Sequence, residues 1–286
     1  MAKPKVYEVL QWASSFLEKN DRDPHIAEVL MLHHLDVSYG QYIMMMREEM
    51  TDEQYGMYQH HVNAHVHSGV PVQHLTGYAH FYGHRFSVNE NVLIPRCETE
   101  ELVEHVITYV KEHYDDESIR IVDVGTGSGA IAISLALALP HVEIYATDIS
   151  AEALAVAKLN AKDLQADVRF LEGDFLQPVI DAKIHPQIIV SNPPYIKESE
   201  REMLADTVRD YDPALALFAE GNGLVAYENI VAQMYQLETV DYVCFEIGYT
   251  QAEDVTDIIK RTYPHSMVEK LIDMNKNDRI ITAKIK

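Results

Sequence analysis

Cysteine is scarce in this chain of 286 residues: Cys97 and Cys244 are the whole supply, and they share no C-x-x-C spacing. That excludes a disulfide scaffold and a structural zinc site built on cysteines. Basic residues are also few. Lys and Arg number 23 against 45 Asp and Glu, a formal net charge of −22. A surface this acidic repels phosphate backbones over most of its area, which argues against a general nucleic-acid binder and favours a basic protein or a small molecule. Long apolar runs are missing too. The longest, around Ala130 to Pro140, contains Ser134 and falls short of the ~20 residues of a membrane span. The opening stretch MAKPKVYEVLQWASSFLEKN carries charges where a secretory signal would be apolar, so the expected location is cytoplasmic. What is present, 47% hydrophobic and 24% charged residues, is the balance of a folded protein with one large or two smaller domains.

The first eighty-odd residues read as helices. Val6, Val9, Leu10, Ala13 and Leu17 follow helical spacing up to a stop at Asn20. Asp23 and Pro24 read as the N-cap and first helical position of a second helix running through Leu30 and Leu35. Thr51 with Gln54 makes a capping box for a helix striped by Tyr55, Tyr58, Val62 and Val66 and ended by Gly69 and Pro71. His61 and His65 sit four apart on that helix, but no third ligand accompanies them, so they read as solvated surface histidines and no metal is expected. The Met44-Met45-Met46 run reads as core filler. Together these elements predict a small helical bundle over residues 1–76.

From His80 to Val92 the texture turns β-prone around Gly83, which predicts a hairpin in a linker over 77–94. Glu98 to His113 returns to helix, with Leu102, Val103, Val106 and Val110 on one face. Strands and helices then alternate. Ile119–Val124, Val142–Thr147, Val168–Glu172, Gln187–Ser191, Tyr242–Ile247, Ser266–Leu271 and Arg279–Lys284 are the strand candidates, and helices follow Gly129, Ser150, Gly223 and Thr250. The pattern predicts an α/β fold over 95–286: a Rossmann-like, mostly parallel sheet of seven strands, covered on both faces, with the last two strands antiparallel at an edge.

Two motifs sit at strand ends. Asp123-Val124-Gly125-Thr126-Gly127-Ser128-Gly129 runs from a buried strand into a glycine turn and a helix, where backbone can approach a ligand closely. Asp148 ends the next strand and is placed to accept hydrogen bonds from ribose hydroxyls. Gly125, Gly127 and Ala130 also satisfy the loose dinucleotide pattern, which keeps a nicotinamide enzyme open at this point. The alternating Asp123-x-Gly125-x-Gly127-x-Gly129 pattern more closely resembles the first motif of class I S-adenosylmethionine-dependent methyltransferases. Gly173-Asp174-Phe175 suits the adenine end of such a pocket.

The second motif is Asn192-Pro193-Pro194-Tyr195 after the fourth strand. Two prolines remove two backbone donors and stiffen the loop. An Asn side-chain oxygen and a proline carbonyl can accept both N–H bonds of a planar amide or exocyclic amino group, and the Tyr195 ring can pack against it. Downstream of the glycine loop, this tetrad points to methylation of an unreactive nitrogen.

At this point the chain resembles the bacterial peptide chain release factor glutamine methyltransferases (PrmC/HemK family), nearly end to end. Pro71 to Gly77 with Phe81-Tyr82-Gly83 and Phe86 is similar to that family's linker, and Ile94-Pro95-Arg96-Cys97-Glu98-Thr99-Glu100 to its PRPETE segment. Tyr211-Asp212-Pro213-Ala214-Leu215 is similar to its EPxxAL stretch, and Glu246-Ile247-Gly248 with Gln251 and the Asp273 to Arg279 turn also fit. Cys97 stands where proline is usual and Asp212 where Glu is common.

The resemblance implies S-adenosylmethionine as cofactor, lying along Gly125, Thr126, Gly127, Ser128 and Gly129, with Asp148 on the ribose, Phe175 along the adenine and Asn192 close by. It implies Asn192, Pro193, Pro194 and Tyr195 as the substrate clamp, with Asn192, Pro193 and Tyr195 carrying catalysis and Thr99 reaching the cofactor from the opposite wall. The implied substrate is the glutamine of the Gly-Gly-Gln motif in class 1 release factors, docked by the helical half. The expected protein is a monomer that binds neither nucleic acid nor membrane directly. Its rivals are an adenine N6 methyltransferase acting on DNA or RNA, and a non-catalytic S-adenosylmethionine-binding scaffold.

Overall fold

A computed structural model describes residues 3–114 and 118–286. The chain divides into two compact units: Met1–Gly77 with Ala205–Tyr211, and Tyr78–Leu204 with Asp212–Lys286.

In the first unit, α1 (Val6–Glu18), α2 (Ile26–Leu35), α3 (Tyr39–Met45), α4 (Asp52–Ser68) and α5 (Val72–Thr76) enclose one core. Val9, Ala13 and Leu17 of α1 meet Leu30 and Met31 of α2 and Tyr58 and Val62 of α4 there. The Thr51–Gln54 capping box forms, and Gly69 ends α4 at φ +70°. Three expectations need correction. The second helix begins at Ile26 and not at Pro24, because Asp23 accepts a hydrogen bond from His25 N at 2.9 Å and holds the stretch before Ile26 in a turn. Met45 and Met46 pack on the core, but Met44 is 83% exposed, since successive helical residues point about 100° apart. His61 and His65 are not free surface side chains. His65 is buried with Nδ1 2.7 Å from the Val70 carbonyl, and His61 Nδ1 lies 3.1 Å from His34 Nε2 on α2. Among the described residues no group of three or more potential ligands could hold a metal ion, and no helix is long and apolar enough to cross a membrane. The segment Ala205–Tyr211 is fastened to this unit by Arg22, whose Nη1 donates to Asp206 Oδ1 at 2.8 Å, and by the Tyr211 hydroxyl on the Ser68 carbonyl at 2.7 Å.

The second unit opens with an antiparallel hairpin, β1 (Tyr78–Phe81) and β2 (His84–Ser87). Tyr82 and Gly83 both take positive φ at its turn, the geometry that matches strand twist. Helix α6 (Glu98–His113) follows, then β3 (Arg120–Val124), α7 (Ala130–Ala138), β4 (Glu143–Asp148), α8 (Ala151–Asp163), β5 (Val168–Glu172) and β6 (Ile188–Ser191). A two-residue pair, β7 (Ile196–Lys197) with β8 (Phe218–Ala219), closes the loop after the tetrad. Helices Val225–Met234 and Ala252–Thr262 flank β9 (Tyr242–Glu246), and β10 (Met267–Ile272) and β11 (Asp278–Lys284) complete the chain. The seven-stranded sheet has the order β10-β11-β9-β6-β3-β4-β5; β11 alone runs opposite to the others, pairing antiparallel with β9 on one side and with the edge strand β10 on the other.

Apolar side chains cover both faces, as the near-continuous hydrophobic strands require. Ile121, Ile144, Ile188 and Val190 face α6 and α7, while Val122, Val124, Ile189 and Val243 face Ile230, Met234, Val255 and Ile259. Register then positions the chemistry. Thr147, Val124, Ser191 and Phe245 lie side by side across four strands, so the residues that follow them, Asp148, Gly125, Asn192 and Glu246, emerge together at the carboxyl edge. The strand order reverses at β3, where open α/β sheets bind ligands.

Candidate active site

The glycine turn leaves β3 with φ values of +73°, +54° and +83° at Gly125, Gly127 and Gly129. A Cβ on Gly125 or Gly127 would meet nothing within 4 Å, and both residues line a cavity of about 300 Å³. At Gly129 the same atom would come 2.8 Å from Ile133 Cδ1 and 3.2 Å from Ala157 Cβ, so that glycine serves the approach of α7 to α8. Beneath the turn, buried Asp123 accepts from the Thr126 hydroxyl at 2.6 Å and Ala132 N at 3.2 Å, both on Oδ2. Its Oδ1 has no hydrogen-bond partner, and burial pushes the carboxyl up to about 7.

Asp148 stands beside the turn. Its Oδ2 accepts from Gly127 N at 2.8 Å and its Oδ1 from Ser150 N at 2.9 Å. Burial raises its carboxyl above the ordinary value against the pull of those backbone donors. Each oxygen keeps a lone pair, and the residue is on the cavity wall. Farther along, Phe175 is placed by a left-handed backbone, φ +48°, and shares the wall with Ile149 and Leu215, which are 55% and 60% exposed. An acidic acceptor, an open glycine turn and bare apolar surface in one cavity suit a nucleoside with a flat heteroaromatic ring.

The tetrad closes the other side. Asn192 and Pro194 line the cavity. Asn192 Nδ2 donates to Thr99 Oγ1 at 3.2 Å, and the Thr99 hydroxyl donates to Glu246 Oε2 at 2.7 Å. The Tyr195 hydroxyl lies 3.5 Å from Glu246 Oε1. Burial pushes the Glu246 carboxyl up to about 7, opposed by Thr99 and by the positive charge of Arg279. The Tyr195 phenol is raised by burial first and by Glu246 second. Gln251 Nε2 donates to the carbonyls of Tyr195 (3.1 Å) and Gly223 (3.2 Å), while its Oε1 accepts from Gly248 N at 3.0 Å. Gly223 has no room for a side chain: a Cβ would fall 2.3 Å from the Tyr195 carbonyl oxygen.

Gly125, Gly127, Asp148, Phe175, Asn192 and Pro194 thus share one cavity. Thr126 and Ser128 turn inward, Thr126 to Asp123, and the Ser128 carbonyl accepts from Asn160 Nδ2 at 2.9 Å. Pro193 is buried, and Tyr195 points to Glu246. Thr99 is not among the residues lining the cavity; its hydroxyl is engaged by Glu246 and Asn192. Glu246, Gln251 and Gly223 had no assigned role in the sequence. The available signal was an acid ending the otherwise apolar strand Tyr242–Glu246, at the edge where such sheets bind ligands.

Sheet order, glycine turn and strand-end acid define a class I methyltransferase fold. The methyltransferase small domain family matches residues 102–237, and the PrmC N-terminal domain family matches residues 8–77. Among solved structures, the human METTL16 catalytic domain in complex with MAT2A 3'UTR hairpin 6 superposes with a TM-score of 0.56 at 14% identity, covering 82% of this chain and 83% of that one. The N-terminal domain of human METTL16 in complex with SAH gives 0.51 at 15% identity, over 97% of this chain and 94% of that one. These likenesses concern the fold. Release factor glutamine methyltransferase from Bacillus cereus is 42% identical over 98% of this chain and 99% of its own length, and that from Enterococcus faecalis 41% over 99% and 100%. The chain belongs to the release factor glutamine methyltransferase family.

Proposed function

We propose that this protein methylates the side-chain amide nitrogen of the glutamine in the Gly-Gly-Gln motif of class 1 release factors, using S-adenosylmethionine. The observation that carries this reading is the Asn192 carboxamide at the cavity wall: Thr99 engages its nitrogen, which leaves Oδ1 as an acceptor for a substrate N–H. Full-length identity to relatives bearing that activity's name supports the same substrate.

The cavity fits the cofactor. The open backbone at Gly125 and Gly127, within the turn that runs through Thr126, Ser128 and Gly129, would take the methionine and ribose side; Asp148 would take the ribose hydroxyls, and Phe175 with Ile149 and Leu215 the adenine. When bound, S-adenosylmethionine supplies an electrophilic methyl group on a sulfonium sulfur. Asn192 Oδ1 and the Pro193 carbonyl would accept the two N–H bonds of the glutamine amide, with Pro194 and the Tyr195 ring bounding the slot. A primary amide nitrogen is a poor nucleophile because its lone pair is delocalised. Most of the acceleration therefore comes from holding it in line at about 3–3.5 Å. No side chain has to remove a proton first; the proton leaves the nitrogen after attack.

In this reading residues 1–76 dock the release factor, 77–94 form the connecting hairpin and 95–286 carry the chemistry. The protein acts as a monomer in the cytoplasm. Its net charge of −22 favours a basic protein partner over direct contact with nucleic acid. The test is methyl transfer from labelled S-adenosylmethionine to purified release factor, to the same factor with the motif glutamine replaced, and to DNA. Label on the intact factor alone is the expected result. Label on DNA, or equal label on the replaced factor, overturns the assignment.

A further inference from the structure

Resting on the methyltransferase reading above, we propose that Thr99, held by Glu246, is a positioning residue that sets which end of the Asn192 amide faces the substrate. The two ends of an Asn side chain have nearly the same shape, so sterics alone do not choose between them. The hydrogen-bond chain does. Thr99 has one hydroxyl proton, and its oxygen lies 2.7 Å from Glu246 Oε2 in a site where both side chains are buried. Above about pH 7, where Glu246 has given up the proton that burial helps it keep, its carboxylate accepts only, so the Thr99 proton goes to Glu246. Thr99 then has only lone pairs to offer Asn192, and the Asn192 atom 3.2 Å away must be the donor, Nδ2. Oδ1 is left as the end free for the cavity. A flipped Asn192 would set oxygen against oxygen at Thr99 and turn its own N–H groups toward the N–H groups of the substrate nitrogen.

The supports are rigid. Thr99 is in the first turn of α6, and Glu246 ends β9, an interior strand of the sheet. Glu246 also receives the Tyr195 hydroxyl on its other oxygen, so one carboxylate steadies both side-chain arms of the tetrad. Thr99 touches neither the cavity nor, in this scheme, the reacting atoms, so its effect should fall on turnover and leave cofactor binding alone.

Two variants and three readouts test this in the full chain. Thr99→Val keeps the shape and removes the hydroxyl; Thr99→Ser keeps the hydroxyl. With release factor as substrate, Thr99→Val is expected to lower kcat by about tenfold or more while the Kd for S-adenosylmethionine stays within about twofold, and Thr99→Ser is expected to restore kcat. In ¹⁵N-resolved NMR spectra, one Asn192 side-chain N–H should exchange slowly in the parent and in Thr99→Ser, and rapidly in Thr99→Val. Unchanged kcat in Thr99→Val overturns the proposal. So does a serine variant as impaired as the valine one, a parallel loss of cofactor affinity, or an Asn192 signal indifferent to all three side chains. Failure of the parent to methylate release factor would defeat the functional reading instead, and the NMR comparison would still decide the orientation.

Discussion

The Arg96 guanidinium lies 2.6 Å from the carboxylate of Asp212, whose side chain is fully buried, and Ile94 N donates to the same carboxylate at 3.4 Å. This pair fastens together two stretches that wall the cavity, Val92 and Leu93 before Arg96, and Pro213 and Leu215 after Asp212. The Asp212 carboxylate reaches both donors. Removing the cation leaves a buried carboxylate without its strongest partner. A fully buried pair would lose 3–5 kcal/mol, and the 36% exposure of Arg96 reduces that to about 2 kcal/mol. Arg96→Met should therefore lower stability by about that much in urea unfolding and weaken S-adenosylmethionine several-fold by calorimetry. Unchanged affinity would mean that the two walls hold without the pair.

Gly127 and Gly129 should fail in different ways when changed to Ala. Both have positive φ, which costs an L-residue roughly 1–2 kcal/mol. Beyond that, a methyl on Gly127 meets only open cavity, whereas one on Gly129 drives into Ile133 and Ala157. Gly127→Ala is expected to lose only about the 1–2 kcal/mol of that backbone strain while losing most cofactor affinity. Gly129→Ala should lose stability first, by several kcal/mol. Calorimetric binding measured beside denaturant melts separates the two, and equal loss of stability in both variants would contradict the assignment of Gly127 to the cavity.

The α/β half was legible because parallel strands buried on both faces appear as apolar runs, and turn residues bracket them. Each of the seven strand candidates lies within one residue of its observed bounds. The glycine turn, Asp148 and Asn192 were found for the same reason: each immediately follows such a run. The Thr51–Gln54 cap is equally local. What stayed hidden depends on contacts far apart in the chain. Thr99 and Glu246 are separated by 147 positions, and nothing near either announces the other. The histidines read as polar surface until α2 and α4 pack together and bring His34 to His61. Helix α3, only seven residues long, gave too little periodicity to be seen.

The buried acids of the catalytic unit make it less stable as pH rises. Burial holds Glu246 and Asp123 at about 7, above their ordinary values of 4.5 and 3.8. Between those values and 7 the folded state keeps protons that the unfolded chain has released. Stability from these groups is thus full at the acid end of that window and is lost as pH rises through about 7. Each tenfold in proton affinity is worth about 1.4 kcal/mol, so each group contributes on the order of a few kcal/mol. Urea unfolding followed by a probe in the sheet should show a falling midpoint from pH 5.5 to 8. Glu246→Gln, which cannot ionise, should flatten part of that slope; an unchanged slope would show that Glu246 does not titrate in this range.

The helical unit should respond with the opposite sign. Burial first, and the neighbouring His61 and His33 second, push His34 down to about 4, and burial also lowers His61 and His65 from the ordinary 6.5. Here the unfolded chain takes up protons that the fold refuses. Stability from these side chains is present above about 6.5 and disappears as pH falls toward 4. The His34 Nε2 to His61 Nδ1 bond adds a reason, since it needs one ring nitrogen as acceptor and cannot survive with both rings charged. Hydrogen exchange at pH 7.5 and 5.5, corrected for intrinsic rates, should show α2 and α4 losing protection on acidification while β3 and β6 hold or gain it. His34→Gln should remove much of the acid sensitivity in α2 and leave the sheet's response unchanged. Uniform behaviour of all four elements would mean that the chain unfolds as one cooperative body, with its opposing groups summed into a single pH profile.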